Sequence, residues 1–373
     1  MREGWNMGKH LVLVGGGHAH LPVLRQLGRM IGLGHRVTLV TPDGNHYYSG
    51  MGAGMLAGIY TPEQGSFAVA RMAEGAGATV AQAAATGLDA EARTLYLADG
   101  SALPYDLISF NLGSQVAIEL PDDGSCPVLP VKPIQRLLEA RKLLLAMLPE
   151  GRKNLVVIGG GASGVELSGA LWRLLRDARG HGEITLVGGK GLLADFPERA
   201  RELALASLAE RGIRILEGVR AKRVADRQVL LDDGDELPAD LVLLAGGIAP
   251  PSLFAESGLA VGDDGGLLVD DTLRSLSYPE ILGGGDCISL RHHSLPRIGV
   301  YAVRQGPILA ENLLAALEDE PFEQFVPQRM FLRILNLGDG RGLLQRGELV
   351  LKGRWAFLLK DWIDRRFMAR YQG

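Results

Sequence analysis

Short apolar runs and one amphipathic stretch alternate at the beginning of the chain. A strand is predicted over residues 10–14, which contain an apolar run at 11–14; residues 21–31 carry apolar side chains at helical spacing, and a second strand is predicted over 37–40. Three glycines, Gly15 to Gly17, separate the first run from the helical pattern. This order predicts a βαβ unit with a tight turn between its first strand and its helix.

The same order returns in the middle of the chain. A strand predicted over residues 154–158, apolar from 155 onward, is followed by glycines at 159–161, a helical pattern over 165–178 and a second strand over 183–187. Such a repeat indicates two similar units. Strands that alternate with helices in this way favour parallel sheets of the Rossmann type.

Alternating patterns complete both units. Antiparallel meanders are predicted over residues 88–106 and 213–244, a helix over 132–148, and a linker over 121–133. After the second unit, a strand over 281–289 and a helix over 300–316 are predicted to return to the first unit, which is therefore discontinuous.

The C-terminal residues have a pattern of their own. Alternation over 329–337 and 343–351, around a turn at 338–342, predicts an antiparallel hairpin, and an amphipathic helix follows over 355–371. The predicted fold class is α/β, with two Rossmann-like three-layer domains followed by a β-hairpin and an amphipathic helix.

Composition narrows the class of protein. The chain has 373 residues, 51 of them glycine, and a net charge of −4, which argues against a nucleic-acid partner. The two cysteines, Cys126 and Cys287, are far apart and fit a reducing cytoplasm. The apolar run near the N-terminus is too short for a signal peptide, and none of the apolar runs is long enough to cross a membrane. The spacing of the histidines does not match a metal site, so we expect no metal.

The first glycine turn reads Gly15-Gly16-Gly17-His18-Ala19-His20. Bare amides at a helix N-terminus bind a pyrophosphate well, which favours a dinucleotide site. His20 stands where the fingerprint has its third glycine, and Thr41 stands where the second strand normally ends in an acid. A tight turn without a ligand is the alternative.

The second glycine turn has the complete fingerprint, Gly159, Gly161 and Gly164, in the same strand-to-helix setting. The acid expected after the second strand is missing here too, and Lys190 is the charged residue of that turn. The pattern therefore leaves NADH and NADPH open. A vestigial site that binds neither is the alternative.

Two further positions indicate a flavin. Asp286 follows three glycines at the end of a predicted strand, where its carboxylate could accept hydrogen bonds from a polyol such as the ribityl chain; an Asx turn is the alternative. Arg304 and Gln305 lie on the next helix, whose dipole, together with Arg304, could stabilise an anionic reduced ring. A solvated arginine is the plain alternative. Glu166 could approach the nicotinamide or cap a helix.

The last helix could dock on a surface. We predict one apolar face, with basic residues beside it. The face comprises Trp355, Leu358, Leu359, Trp362, Ile363, Phe367 and Tyr371. The pattern leaves open whether the segment 355–371 contacts an anionic membrane, the core of the protein or a second copy in a homodimer.

Taken in order, these motifs resemble the FAD-dependent pyridine nucleotide-disulfide oxidoreductase superfamily over nearly the whole chain. The resemblance also includes Tyr105-Asp106, Gly113-Ser114, residues 245–250 and Gln305-Gly306. Type II NADH dehydrogenase and sulfide:quinone oxidoreductase are similar members. Val300 and Arg304 stand where the type II enzymes have two glutamines beside the quinone path, and two cysteines are fewer than the usual three of the sulfide enzyme.

Within this superfamily the chain resembles the subgroup found fused ahead of selenide water dikinase. The motifs that carry this likeness are Gly15-Gly16-Gly17-His18-Ala19-His20, Tyr48-Ser49-Gly50-Met51, Val131-Lys132-Pro133 and Lys360-Asp361-Trp362-Ile363-Asp364-Arg365.

The resemblance implies which residues bind each cofactor. FAD would be lined by Gly15, Gly17, His18, Ala19, Thr41, Ala85, Gly113, Asp286 and Gln305. The pyridine nucleotide would be lined by Gly159, Gly161, Gly164, Glu166 and Gly246. It also implies a FAD-binding domain over 1–120 and 268–325, an NAD(P)-binding domain over 121–267, and a C-terminal segment over 326–373.

We therefore predict a cytoplasmic FAD-dependent oxidoreductase, with a peripheral position on the inner face of the membrane left open. Electrons would pass from NAD(P)H through FAD to a quinone or another small acceptor. Two alternatives stay open: a flavoprotein that oxidises a sulfur or selenium compound and leaves its second nucleotide site unused, and a FAD-binding sensor without enzymatic activity.

Overall fold

The structure is a computed structural model that describes residues 8–372. Its first part runs as far as residue 147. The elements are β1 (His10–Val14), α1 (Leu21–Gly32), β2 (Arg36–Val40), β3 (His46–Tyr47), α2 (Gly52–Ala57), β4 (Ser66–Phe67), α3 (Val69–Gly75), β5 (Thr79–Ala81), β6 (Ala85–Asp89), β7 (Thr94–Leu97), β8 (Ala102–Pro104), β9 (Leu107–Phe110), β10 (Gln115–Val116), β11 (Val128–Pro130) and α4 (Arg136–Met147).

The second part contains the other βαβ unit and the return of the chain. Its elements are β12 (Lys153–Ile158), α5 (Ala162–Asp177), β13 (Gly182–Gly188), α6 (Glu198–Ala209), β14 (Arg214–Glu217), β15 (Ala221–Ala225), β16 (Gln228–Leu231), β17 (Glu236–Pro238), β18 (Leu241–Leu244), β19 (Ile248–Ala249), α7 (Leu253–Glu256), β20 (Leu267–Val269), β21 (Ile281–Gly283), β22 (Ile288–Leu290) and α8 (Gly299–Glu318). The tail adds β23 (Arg333–Asn336), β24 (Gly342–Arg346), β25 (Leu349–Gly353) and α9 (Arg354–Gln372).

Two five-stranded parallel sheets form the framework. The first has the strand order β21-β9-β1-β2-β5 and the second has the order β11-β18-β12-β13-β14. The central strands β1 and β18 are buried along their whole length because both faces of each sheet are covered. The predicted α/β fold class with two Rossmann-like units is confirmed.

The first sheet takes its last strand, β21, from beyond the second sheet in sequence. This crossing is the basis on which we propose the discontinuous first domain. The exact domain bounds, 1–120 with 268–325, 121–267 and 326–373, stay a prediction.

Side chains from both faces make up the core of the second unit. Leu155 and Val157 of β12 face α5 and α6, whereas Val156 and Ile158 face the meander of β15, β16 and β17. This alternation along one strand gives three layers, with helices on one side and the meander on the other.

The tail differs from the predicted hairpin. The run predicted as one strand over 343–351 is divided into β24 and β25, so three antiparallel strands form. Gly347, with a φ of 56°, lies in the turn that divides them. Since a left-handed backbone favours glycine, this residue allows the chain to reverse inside an otherwise alternating pattern.

Within residues 8–372, none of the helices is long and apolar enough to cross a membrane.

Candidate functional site

The first glycine turn forms one wall of a cavity of about 380 Å³. This volume lies in the range of about 300–1,000 Å³ that is typical of ligand sites. The cavity brings together seven of the nine residues predicted to bind FAD, and these are Gly15, Gly17, His18, Thr41, Ala85, Gly113 and Asp286.

The topology of the first sheet explains why these residues meet. β1, β2 and β9 are parallel neighbours, so the loops that follow Val14, Val40 and Phe110 open at the same edge. Gly299 and Ala302, in the first turn of α8, line the same cavity. The positive end of the α8 dipole therefore faces a ligand in this cavity.

Asp286 is held in the cavity by two groups that the sequence did not single out as site residues. Its Oδ2 accepts hydrogen bonds from the Ser114 hydroxyl at 2.8 Å and from the Lys132 ammonium at 2.9 Å. Lys132 and Ser114 also line the cavity. The carboxylate is thus fixed by a partly buried ion pair, and the cavity carries a cation beside its acid.

Asn111 connects the loops at this edge, and sequence reasoning missed it. The Asn111 Oδ1 accepts a hydrogen bond from the Ala19 amide at 2.9 Å, and its Nδ2 donates to the Gly284 carbonyl at 2.5 Å. Ala19, which we predicted to line FAD, is buried with its amide bound to Asn111. A polar residue directly after the apolar strand β9 was the signal that could have identified Asn111.

His20 stands in place of the third fingerprint glycine and forms hydrogen bonds to the glycine turn and to β9. Its Nδ1 lies 2.6 Å from the Gly15 carbonyl oxygen and its Nε2 lies 2.9 Å from the Ser109 hydroxyl. Burial lowers the pKa of His20 to about 4, so the ring is neutral at pH 7. The residue is a structural part of the turn.

His18 lines the cavity. Its Nε2 is buried without a hydrogen-bond partner among the described residues, and the other ring nitrogen lies 3.4 Å from Nε2 of His46. Burial and the nearby Lys132 lower the pKa of His18 to about 4. An orphaned buried donor or acceptor, a lysine and a helix N-terminus around one cavity fit a ligand with phosphate and polyol groups, as FAD has.

Gln305 and Arg304 lie outside this cavity. Gln305 is buried, its Oε1 accepts a hydrogen bond from the Gly285 amide at 2.7 Å, and it borders a second cavity of about 530 Å³ that shares Asp286. Arg304 is exposed on α8. Of the two groups proposed to tune the flavin from α8, the structure brings the helix terminus to the cavity and leaves the guanidinium in solvent.

The second glycine turn packs its helix closely against its first strand. A Cβ atom at Gly164 would lie 1.8 Å from the Gly159 carbonyl oxygen, whereas a Cβ at Gly161 would have no atom within 4 Å. A Cβ at Gly159 would lie 2.7 Å from the Gly246 amide nitrogen, so these two loops touch. The turn thus combines close helix-to-strand packing with one open position for a pyrophosphate.

A family model described as pyridine nucleotide-disulphide oxidoreductase matches residues 9–306 of the chain. The chain belongs to the pyridine nucleotide-disulphide oxidoreductase family. The oxidoreductase class and the predicted cofactors, FAD with NAD(H) or NADP(H), are confirmed at the level of this family. The resemblance to the subgroup fused to selenide water dikinase stays a prediction.

Individual relatives agree with this family. The chain is 28% identical over 193 residues to a type II NADH:quinone oxidoreductase of Haemophilus influenzae. The matching region covers 48% of this chain and 44% of that protein. The chain thus spans less than half of this curated relative.

Solved structures share the fold. NDH2 from Plasmodium falciparum in complex with NADH superposes with a TM-score of 0.82 at 14% identity and covers 96% of each chain. The sulfide:quinone oxidoreductase of Aquifex aeolicus superposes with a TM-score of 0.79 at 18% identity, covering 98% of this chain and 92% of that one.

In this member of the oxidoreductase family, Glu166 connects the second unit to the tail. It is partly buried on α5, and its Oε1 accepts a hydrogen bond from the Asn336 amide of β23 at 2.7 Å. Burial raises the pKa of Glu166, while the nearby Lys360 opposes this rise. Glu166 therefore binds the C-terminal sheet, and a contact with the nicotinamide stays a prediction.

The last helix of the oxidoreductase buries an ion pair that the sequence pattern did not indicate. The Lys360 ammonium donates to Asp364 at 2.7 Å and to the Gly50 carbonyl at 2.7 Å, and the Tyr48 hydroxyl donates to Asp364 at 3.1 Å. Because this pair faces inward, the predicted single apolar face is divided. Phe367 and Tyr371 pack inside, whereas Trp355, Leu358 and Trp362 are 47%, 64% and 56% exposed.

Neither cysteine is placed for thiol chemistry. Cys126 and Cys287 are both buried and unpaired with each other. Burial raises the pKa of Cys287 to about 12, and its thiol donates to the Gly284 carbonyl at 3.4 Å. A thiol with such a high pKa is a poor nucleophile.

Proposed function

We propose that the protein transfers electrons from NAD(P)H, through FAD, to a quinone or another small acceptor. The observation that carries this proposal is the ribbon of β10 and β19. β10 follows Gly113 of the FAD cavity, β19 follows Gly246, which lies against Gly159 of the second glycine turn, and the two strands pair at Val116 and Ile248. Pro251 and Leu253, which follow β19, line the FAD cavity itself.

This arrangement brings the two candidate nucleotide sites next to each other within one chain. When bound, FAD supplies the two-electron chemistry, and the residues supply geometry and charge. Lys132 and the N-terminus of α8 place positive potential at the cavity, Asp286 offers a fixed carboxylate to a polyol, and Asn111 holds the loops that form the wall.

The test is an anaerobic absorbance titration of the purified, FAD-loaded protein with NADPH and then with NADH. We expect at least one of the two to bleach the flavin band within seconds, and a short-chain quinone to restore it. A flavin that stays oxidised with both nucleotides would overturn the proposal. Sulfur or selenium donors, or a FAD-binding sensor, would then be the functions to examine.

We further propose that the tail docks peripherally on the inner face of an anionic cytoplasmic membrane. The tail surface consists of the exposed side chains Leu349, Leu351, Trp355, Leu358 and Trp362. The guanidinium of Arg366 lies 5.3 Å from the Trp362 ring, and Arg354 and Arg365 are exposed on the same helix. Apolar side chains with arginines beside them suit a membrane interface with acidic head groups.

Liposome flotation tests this docking with point variants. We expect wild type to float with vesicles that contain phosphatidylglycerol, and the triple variant Trp355→Ser, Leu358→Ser, Trp362→Ser to stay in solution. The matched control replaces three exposed apolar residues elsewhere, Leu33→Ser, Tyr96→Ser and Leu276→Ser. A wild type that does not float contradicts the proposal. A triple variant with half the native mass in gel filtration would identify the surface as a homodimer interface.

A further inference from the structure

The end of β13 lacks the acid that selects NADH in Rossmann units. In this fold a carboxylate at the end of the second strand binds the ribose 2′-hydroxyl of NADH. Here β13 ends in Gly188, and Gly189 and Lys190 follow. The strand therefore offers no acceptor for a 2′-hydroxyl and no negative charge to repel a 2′-phosphate.

The nearest carboxylate on the neighbouring strand is already engaged. Glu217 lies opposite Gly188 in the register of β13 and β14. Its Oε1 accepts a hydrogen bond from the Leu192 amide at 2.6 Å, and its Oε2 pairs with Arg201 at 2.7 Å. These contacts hold Glu217 in the turn and offset its charge, so it does not replace the missing acid.

Two cations remain at the end of β13. The Arg220 side chain lies across Gly189, where a Cβ atom would be 2.8 Å from the Arg220 Cγ and 3.4 Å from its Nε. Lys190 is the next residue, and both cations are exposed. The nearby carboxylate of Asp232 accepts a hydrogen bond from the backbone amide of Arg220, at 2.8 Å.

We propose that Arg220 and Lys190 bind the 2′-phosphate of NADPH, and that NADPH is the electron donor of this protein. The inference rests on the proposed function, because it names the donor of that reaction. A planar guanidinium forms paired hydrogen bonds to phosphate oxygens, and an ammonium adds a point charge. Gly189 leaves space for this arrangement, because a Cβ atom there would push the Arg220 side chain aside.

The test is isothermal titration calorimetry of the FAD-loaded protein with NADP⁺ and with NAD⁺. Binding of the oxidised nucleotides needs no electron transfer, so this measurement is independent of flavin reduction. We expect wild type to bind NADP⁺ at least tenfold more tightly than NAD⁺. Arg220→Gln and Lys190→Gln should each weaken NADP⁺ binding about tenfold and leave NAD⁺ binding within about twofold.

Two further variants sharpen the result. Arg152→Gln removes an exposed cation at the opposite, amino edge of the same sheet and should change neither affinity. Glu217→Gln should leave the preference for NADP⁺ in place. Tighter binding of NAD⁺ than of NADP⁺ by wild type, or an equal loss of both nucleotides in Arg220→Gln, would overturn the inference.

The outcomes separate this inference from the proposed function. Selective NADP⁺ binding without flavin reduction by either NADPH or NADH sustains the subsite and contradicts the oxidoreductase reaction. Fast flavin reduction by both nucleotides, with equal affinities for NADP⁺ and NAD⁺, sustains the oxidoreductase reaction and contradicts the 2′-phosphate subsite.

Discussion

The glycine turn after β1 and the one after β12 lie at equivalent places in two similar sheets, yet they hold their helices differently. After β12, helix α5 begins directly at Ala162, and Gly164 packs against the Gly159 carbonyl. After β1, residues 18–20 form a hydrogen-bonded turn before α1 begins at Leu21, and His20 bonds to Gly15 and Ser109.

This difference shows that the fingerprint describes one of two ways to join a strand to a helix. The second turn needs a glycine because nothing larger fits between helix and strand. The first turn starts its helix later, which leaves room for an imidazole, and the imidazole then satisfies buried polar groups that would otherwise be unpaired. A missing glycine is therefore weak evidence against a nucleotide site.

The largest effect is expected for His20→Gly, which restores the complete fingerprint in the first turn. We expect the free energy of unfolding to fall by about 4 kcal/mol, because the substitution leaves a cavity and two buried groups without partners. Urea unfolding followed by circular dichroism measures this change. If His20→Gly is as stable as wild type, the two turns are interchangeable and our comparison is wrong.

The pH dependence of stability follows from the same residue. The pKa of His20 is about 4 in the folded protein and 6.5 when exposed. The unfolded chain binds the proton more readily than the folded protein. The contribution of neutral His20 to the free energy of unfolding is therefore complete above pH 6.5 and is lost as the pH falls toward 4. We expect a loss of up to about 3 kcal/mol from His20 between pH 7 and 4, with a similar contribution from His18.

Urea unfolding at several pH values measures this dependence. The free energy of unfolding should fall less steeply with decreasing pH in His20→Gln than in wild type. His292→Gln, at an exposed histidine, should leave this slope unchanged. Equal slopes in wild type and His20→Gln would show that the imidazole is not the group that titrates.

In the second turn, Gly164→Ala is expected to lower the free energy of unfolding by about 2 kcal/mol. The added Cβ would be 1.8 Å from the Gly159 carbonyl oxygen, so helix and strand must separate. Gly161→Ala is the matched control, because its Cβ has no atom within 4 Å; it should change stability by less than about 0.5 kcal/mol. The same urea experiment compares them, and equal losses would contradict the packing argument.

The smallest effect concerns the acid that both βαβ units lack at the end of their second strand. In the first unit Asp43, two residues beyond Thr41, lines the FAD cavity. We expect Asp43→Asn to raise the FAD dissociation constant about three- to tenfold, measured by flavin fluorescence after dilution. Asp89→Asn removes a carboxylate that, like Asp43, accepts a hydrogen bond from a nearby backbone amide, but outside this cavity, and should not change it.

The sequence predicted the framework well because apolar periodicity records burial. Both βαβ units, the return of the chain through β21 and α8, and the cavity residues Gly15 and Asp286 follow from runs of apolar residues and the glycines that end or flank them, whereas Thr41 was implied by the family resemblance. Such signals are local, and the topology of a parallel sheet brings them together at one edge.

The missed residues act across long distances in sequence. Asn111 and Lys132 look like ordinary turn and linker residues until β9 and β21 place Gly284 and Asp286 beside them. The face of α9 was mispredicted for the same reason: periodicity treats Lys360 as a surface residue, and its buried partners include the Gly50 carbonyl, 310 positions earlier. A single polar residue in the sequence does not indicate which distant residue it contacts in the fold.

The contacts of α9 also have a kinetic meaning. Lys360 and Asp364 close the first unit through hydrogen bonds that span 310 and 316 positions. Contacts between residues so far apart form slowly, because a long loop must close before they contribute any stability. The docking of α9 is therefore expected to be a late step of folding, and the flavin cavity near Tyr48 should reach its final shape only after both sheets have formed.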